Sequence, residues 1–66
     1  MQITLNGQPQ QATDDISLTE LVSQVSDRTS GIAVALNSDV VPRSSWPETT
    51  VRDGDRVDVV TAVQGG

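Results

Sequence analysis

The sequence of 66 residues carries a net charge of −5 and has no Cys, His or Lys, so it allows one small domain with a single core and excludes a disulfide framework and the usual zinc ligands. Without an acid–base side chain poised near neutrality, and with little volume to enclose a substrate, the chain is predicted not to be an enzyme and to bind no metal or cofactor of its own. Its acidity disfavours nucleic acid and anionic membranes as partners and favours a protein with a basic surface, and the absence of a charged leader or a long apolar run predicts a cytoplasmic location.

The first residues predict a β-hairpin. Apolar and polar side chains alternate from Gln2 to Asn6, which is the period of a half-buried strand. Asn6-Gly7 supplies the two positive φ angles of a type I′ turn. The returning segment, Gln8 to Thr13, is polar and contains Pro9, which predicts an edge strand because the missing amide donor can then face solvent.

One amphipathic helix is predicted after this hairpin. Ser17 can cap the first helical amides while Glu20 reaches back to the Ser17 amide, and Ile16 can pack on Leu21 across the cap. We expect the helix to end at Thr29-Ser30-Gly31 and to bury one face on a sheet. That face is formed by apolar side chains at helical spacing, Leu18, Leu21, Val22 and Val25.

A second pair of strands is expected next. Ile32 to Leu36 alternates between large and small apolar side chains and predicts a strand with its larger side chains on one face. Asn37-Ser38-Asp39 predicts a turn into the short apolar piece Val40-Val41, which Pro42 ends.

The rest of the chain predicts a helical turn and a long final strand. Arg43 to Pro47 predicts one helical turn in which Trp46, the only aromatic residue, closes the edge of the core and bonds its indole N–H to the backbone. Thr49 to Val51 is compatible with a minor strand, and Asp53-Gly54-Asp55 with a tight turn rather than a cation site, because its spacing does not match a calcium loop. Arg56 to Val63 alternates and predicts the last strand.

These elements predict an α+β protein of the β-grasp, ubiquitin-like class. A single helix is covered most economically by a mixed sheet that grasps it, with the first and last strands as parallel neighbours at the centre. The domain is expected to span residues 1–63 and to be followed by a flexible C-terminal Gly-Gly tail at residues 64–66.

One face of this sheet is predicted to lie away from the helix and to be apolar. Four side chains are expected to share it, Ala33, Ala35, Val60 and Ala62. The face is either simply solvated or a docking surface for a partner protein. Arg43 likewise either caps the adjoining turn or pairs with a surface carboxylate, or it docks an acidic or nucleotide-bearing partner.

The C-terminal residues carry the most specific chemistry. If the last strand is central, Gln64, Gly65 and Gly66 extend roughly 10 Å from a rigid body. The glycines allow the Gly66 carboxylate to approach the α-phosphate of a bound nucleotide through a crevice where a Cβ would collide. The resulting acyl adenylate is an electrophile from which a persulfide can displace the nucleotide, leaving a thiocarboxylate. The chain is therefore predicted to be acted upon by an enzyme.

Several short motifs together resemble one known family. They are Leu5-Asn6-Gly7, Ala35-Leu36-Asn37, Val41-Pro42-Arg43 with Trp46, Asp53-Gly54-Asp55 and Val63-Gln64-Gly65-Gly66. Over essentially its whole length the chain resembles the ThiS family, the bacterial sulfur carriers of thiamin thiazole biosynthesis. The resemblance implies a β-grasp fold and adenylation of Gly66 by a ThiF-like adenylyltransferase that uses MgATP. It also implies a cysteine desulfurase or another sulfur donor, and transfer of sulfur from the Gly66 thiocarboxylate to thiazole synthase.

Three other functions remain open at this point. A MoaD-like sulfur carrier subunit of molybdopterin synthase has the same fold and terminus, although the short chain and the segment from Val41 to Trp46 favour the ThiS family. A ubiquitin-like modifier would join Gly66 to lysines of target proteins through an amide. A plain interaction module would have an inert tail.

Overall fold

The computed structural model describes residues 1–25 and 31–61. These form β1 (Gln2–Leu5), β2 (Gln8–Gln11), α1 (Leu18–Val25), β3 (Ile32–Leu36), β4 (Asp39–Val41), a 3-10 helix (Arg43–Glu48) and β5 (Arg56–Thr61). The strands form one sheet in the order β2-β1-β5-β3-β4, which is the predicted β-grasp arrangement. The predicted boundary between domain and tail at residue 63 and most of the predicted helix end lie outside the described residues. None of the helices in the described ranges is both long and apolar enough to span a bilayer.

The first hairpin is confirmed in its turn, its edge and its partner. Asn6 and Gly7 have φ angles of 51° and 81°, the left-handed values that a type I′ turn requires. Pro9 lies on β2, which is an edge strand, opposite Thr4 of β1. On its other side β1 pairs with β5 in parallel, with Thr4 opposite Arg56. The first and last strands are therefore neighbours within the sheet, as predicted.

The start of α1 is capped, but only half of the predicted reciprocal cap is present. The Glu20 amide donates to Ser17 Oγ over 3.2 Å. The predicted return bond from the Ser17 amide to the Glu20 carboxylate is wrong. The carboxylate accepts a hydrogen bond from the Ser17 hydroxyl instead (3.2 Å). Ser17 is at the same time held in an isolated β-bridge with Thr50. That bridge replaces the minor strand predicted at Thr49 to Val51, and it fixes the start of the helix to the segment before β5.

The apolar stripe of α1 is shorter than the sequence pattern suggests. Leu18, Leu21 and Val22 are buried, whereas Val25 is 43% exposed. The predicted fourth member of the stripe is therefore wrong as a core residue, since it lies one turn beyond the buried part of the helix. The core comprises residues of the helix, the sheet and the connecting segments: Ile3, Ile16, Leu18, Leu21, Val22, Val34, Trp46, Val51 and Val57.

The turn between β3 and β4 has two residues and not the predicted three. Asn37 and Ser38 have φ angles of 51° and 75°, so they form the whole turn. Asp39 already pairs with Leu36 as the first residue of β4. A turn with two positive φ angles matches the right-handed twist of the strands, so pairing begins at the residue that follows it.

Trp46 closes the edge of the core, as predicted. Its side chain lies in the 3-10 helix, is 6% exposed and donates its Nε1–H to the Val41 carbonyl oxygen over 2.9 Å. The ring thus contributes apolar burial while its one polar group keeps a partner. This contact also fixes the 3-10 helix to the end of β4.

Replacing Trp46 by Ala should lower the free energy of unfolding by about 3 kcal/mol, because a large buried ring is lost and its cavity cannot fully collapse. Denaturant unfolding measures the loss, and Trp46→Phe, which keeps an aromatic ring but removes the donor to Val41, should cost less. Emission from the native protein should be blue-shifted and move to the red on unfolding. A native spectrum like that of tryptophan in water contradicts the buried position.

Candidate functional site

The two faces of the sheet differ in burial, and one of them is covered. The covered face carries Val34 and Val57, which belong to the same buried cluster as the apolar residues of α1. On the opposite face Ala33 pairs with Val60, and Ala35 pairs with both Asp58 and Val40. We call the apolar part of this face the open face and define it as Ala33, Ala35, Val40 and Val60. It crosses three adjacent strands, β4, β3 and β5.

Exposure on the open face is unusual for apolar side chains. Val60 is 56% exposed and Val40 is 74% exposed. Ala33 is exposed and Ala35 is half-buried between them. Val60 and Val40 lie on β5 and β4, with Ala33 and Ala35 on the strand between them. A cluster of exposed apolar side chains is typical of interaction surfaces more than of solvated sheet faces. Ala62, the remaining residue predicted for this face, lies outside the described residues.

Val40 is the residue that sequence reasoning missed. A three-residue turn at 37–39 gives no register for β4, so the direction of Val40 could not be predicted. The two-residue turn pairs Val40 with Ala35 and places both on the open face. The sequence Asp39-Val40-Val41 does not itself alternate between polar and apolar residues, so only the register set by the two-residue turn shows the direction of Val40.

Charged side chains border the open face on one side. Arg56 Nε lies 3.3 Å from Asp58 Oδ2, and Asp58 is directly opposite Ala35. An exposed ion pair contributes little to stability, so a partner can exchange it for its own charges at small cost. Arg43 is exposed at the start of the 3-10 helix, and no carboxylate in the described ranges forms an ion pair with it. Its part in docking stays a prediction.

The open face includes part of β5, the last strand of the described residues. β5 occupies the middle position of the sheet and pairs with β3 as far as Thr61, opposite Ile32. Val60 therefore precedes the terminal Gly66 by only six residues of sequence. The predicted site residues Gln64, Gly65 and Gly66 lie outside the described residues. A protein that docks on the open face would have the terminus within roughly 20 Å of extended chain.

The acidic turn before β5 has a structural role. Asp53 Oδ1 accepts a hydrogen bond from the Gln2 amide (2.9 Å), and Asp55 Oδ2 accepts one from the Arg52 amide (2.8 Å). Gly54, with φ of 85°, donates its amide to the Gln2 carbonyl oxygen over 2.8 Å. Both carboxylates thus bind backbone amides, which confirms the predicted turn. In the described part of the chain no three His, Cys, Asp or Glu side chains come together as metal ligands.

Comparison with known proteins identifies what this arrangement is similar to. The model of the ThiS family matches residues 3–66. The sulfur carrier protein ThiS of Escherichia coli (strain K12) is 36% identical over 66 residues, which is 100% of each chain. A crystal structure of the thiamine biosynthesis protein ThiS from Geobacter metallireducens superposes with a TM-score of 0.88 at 33% identity and covers 100% of both chains.

A further similarity joins the same fold to a much longer protein. A thiazole synthase of Paramagnetospirillum magneticum is 27% identical over 66 residues, which is 100% of this chain but only 20% of that protein. A segment similar to this chain is therefore part of a longer polypeptide in that organism.

Proposed function

The chain belongs to the ThiS family, and we propose that it carries sulfur as a thiocarboxylate on Gly66 for a thiazole synthase in thiamin biosynthesis. The observation that carries the proposal is the match to the family through residue 66, which includes the Gly65-Gly66 end. The chain is then a carrier and not an enzyme. Its own residues supply the terminus, a rigid strand that leads to it and the surface on which other proteins act.

The proposed chemistry begins with the Gly66 carboxylate. A carboxylate oxygen attacks the α-phosphorus of ATP, bound with Mg²⁺ on a ThiF-like adenylyltransferase, and pyrophosphate leaves. The terminal sulfur of a persulfide then attacks the acyl carbon and AMP leaves. A thiol cleaves the sulfur–sulfur bond of this intermediate, so that the thiocarboxylate is released and the thiol sulfur ends in a disulfide.

The composition of the chain supports a role for the terminus alone. It has no Cys, so no side chain can hold transferable sulfur as a thiolate or persulfide. The sulfur must come from a donor such as a cysteine desulfurase. With no Lys either, another copy of the chain offers no side-chain amine as a target for the activated acyl group.

The open face supports a protein partner for the activation step. Val60 and Val40 are largely exposed, and Val60 lies on the strand that leads to Gly66. Burying these side chains gives docking energy, while the short stretch after Val60 limits where the carboxylate can reach. The net charge of −5 favours a basic docking surface on the adenylyltransferase.

A thiazole synthase is the proposed acceptor of the sulfur. In Paramagnetospirillum magneticum a segment similar to this chain makes up 20% of a protein named thiazole synthase. Joining two modules in one polypeptide raises their effective concentration, which benefits proteins that act on each other. This arrangement supports the ThiS-type pathway over a MoaD-like role in molybdopterin synthesis.

Intact mass tests the proposal directly. The chain is incubated with MgATP, a ThiF-like enzyme, a cysteine desulfurase and cysteine, and we expect the mass change for replacement of one oxygen by sulfur. Reactions without ATP or without the sulfur donor should leave the mass unchanged. An amide-linked conjugate to lysines of other proteins would support the modifier function instead, and an unmodified chain in the complete reaction contradicts the carrier function.

A further inference from the structure

Two asparagines occupy equivalent places in the two hairpin turns. Asn6 begins the turn after β1 and Asn37 begins the turn after β3, and both have a φ angle of 51°. The strands β1 and β3 are the two neighbours of β5. Each asparagine side chain reaches the backbone of β5, one on either edge. The two contacts lie at different heights on the strand.

At Asn6 the side chain replaces the backbone carbonyl in the hydrogen bonding between β1 and β5. The β1 and β5 strands pair from Thr4 opposite Arg56 to Leu5 opposite Val57, and the Asn6 amide donates to the Val57 carbonyl oxygen over 2.9 Å. A regular parallel ladder would next send the Val59 amide to the backbone carbonyl of residue 6. The turn takes over at Asn6, and Val59 donates instead to Asn6 Oδ1 over 2.7 Å.

At Asn37, at the other end of β5, a side-chain oxygen likewise replaces a backbone carbonyl. The Asn37 amide donates to the Arg56 carbonyl oxygen (2.8 Å), and the Arg56 amide donates to Asn37 Oδ1 (2.9 Å). An antiparallel pair would use the backbone carbonyl of Asn37 for the second bond. Asn37 therefore fixes the first residue of β5, whereas Asn6 fixes Val59, close to the end that leads to Gly66.

We infer that Asn6 is a positioning residue for delivery of the C-terminus: by holding Val59 through its side-chain oxygen, it fixes the end of β5 from which the chain continues to Gly66. The inference rests on the proposed function and adds a residue to it. Asn6 touches no reacting atom and acts through β5. Loss of its oxygen removes the bond that holds Val59 on the β1 side of β5, so fewer docked molecules present the carboxylate at the phosphorus.

Matched substitutions separate this role from stability. Gly and Asp both tolerate a positive φ angle, so Asn6→Gly removes the acceptor with little turn strain, and Asn6→Asp keeps an acceptor oxygen. Asn37→Gly is the control: it removes the corresponding bond at the other end of β5, together with the bond from Asn37 Nδ2 to Asp55 Oδ1 (3.2 Å). Amide hydrogen exchange and the kinetics of adenylation by a ThiF-like enzyme are measured under conditions in which every variant is fully folded.

For Asn6→Gly we expect about tenfold faster exchange of the Val59 amide and a five- to tenfold lower kcat, with KM for the carrier changed less than twofold. Asn6→Asp should restore both values to within about twofold of the native chain, and Asn37→Gly should unfold more easily but keep the native kcat. Equal kcat for the native chain, Asn6→Gly and Asn37→Gly would overturn the inference. So would an equal loss in both Gly variants, which indicates general destabilisation. If the native chain itself is not adenylated, the proposed function fails, while the exchange of Val59 still reports on the contact.

Discussion

A single residue added after Gly66 is expected to abolish formation of the thiocarboxylate. The addition moves the reacting carboxylate by about 3.5 Å along the chain. This displacement equals the distance between two reacting atoms in a productive complex, so the carboxylate no longer lies within reach of the phosphorus. Removal of Gly66 should have the same effect in the opposite direction, because the carboxylate then stops short of the phosphorus. Intact mass after reaction with MgATP, a ThiF-like enzyme and a sulfur donor measures both variants against the native chain.

Gly65→Val tests the passage of the tail rather than its length. A branched side chain at residue 65 should hinder entry into a channel shaped for glycine, at unchanged chain length. All three variants should unfold at the denaturant concentration of the native protein, since the last residues of a domain generally contribute few contacts to its stability. If the extended chain is thiolated as fast as the native one, the position of the carboxylate does not matter and the carrier hypothesis is wrong.

Local signals predicted the elements that form the sheet and its edge. Asn6-Gly7 predicted a turn type that fixes its own strand register, and Pro9 predicted an edge because it lacks a donor; both are confirmed. The parallel pairing of β1 with β5 joins residues far apart in sequence, but few topologies cover one helix with one sheet. Trp46 could be placed because a lone large ring in a small domain has few other places to be buried.

The errors in the turn between β3 and β4 and in the minor strand at Thr49 to Val51 involve long-range contacts. Ser38 has a φ of 75°, which Ser rarely adopts, so a two-residue turn was not expected. The bond between Asn37 Oδ1 and the Arg56 amide holds the first residue of that turn, and it joins residues 19 apart in sequence. The same error in register concealed Val40. The bridge between Ser17 and Thr50 likewise depends on the assembled fold.

Val60→Asp should separate folding from docking. Val60 is 56% exposed, so a carboxylate at this position stays hydrated in the free protein and should change the free energy of unfolding by less than about 1 kcal/mol. When a partner covers the open face, the charge must be desolvated without a designed partner group. We expect an increase in KM for adenylation of roughly a hundredfold, equivalent to about 3 kcal/mol. Surface binding assays with the adenylyltransferase should show the same loss of affinity.

Val25→Asp provides the matched control, because it is the same substitution at another exposed valine, on α1, away from the open face. It should leave KM within about twofold of the native value. Val40→Asp extends the test, because Val40 is 74% exposed on β4. This substitution should raise KM only if the partner covers the full width of the open face.

The substitutions on the open face are expected to act on KM because they weaken docking. Asn6→Gly is expected to act on kcat instead, because it loosens the strand that delivers Gly66. An unchanged KM for Val60→Asp would show that the face is simply solvated and that the adenylyltransferase recognises the chain elsewhere.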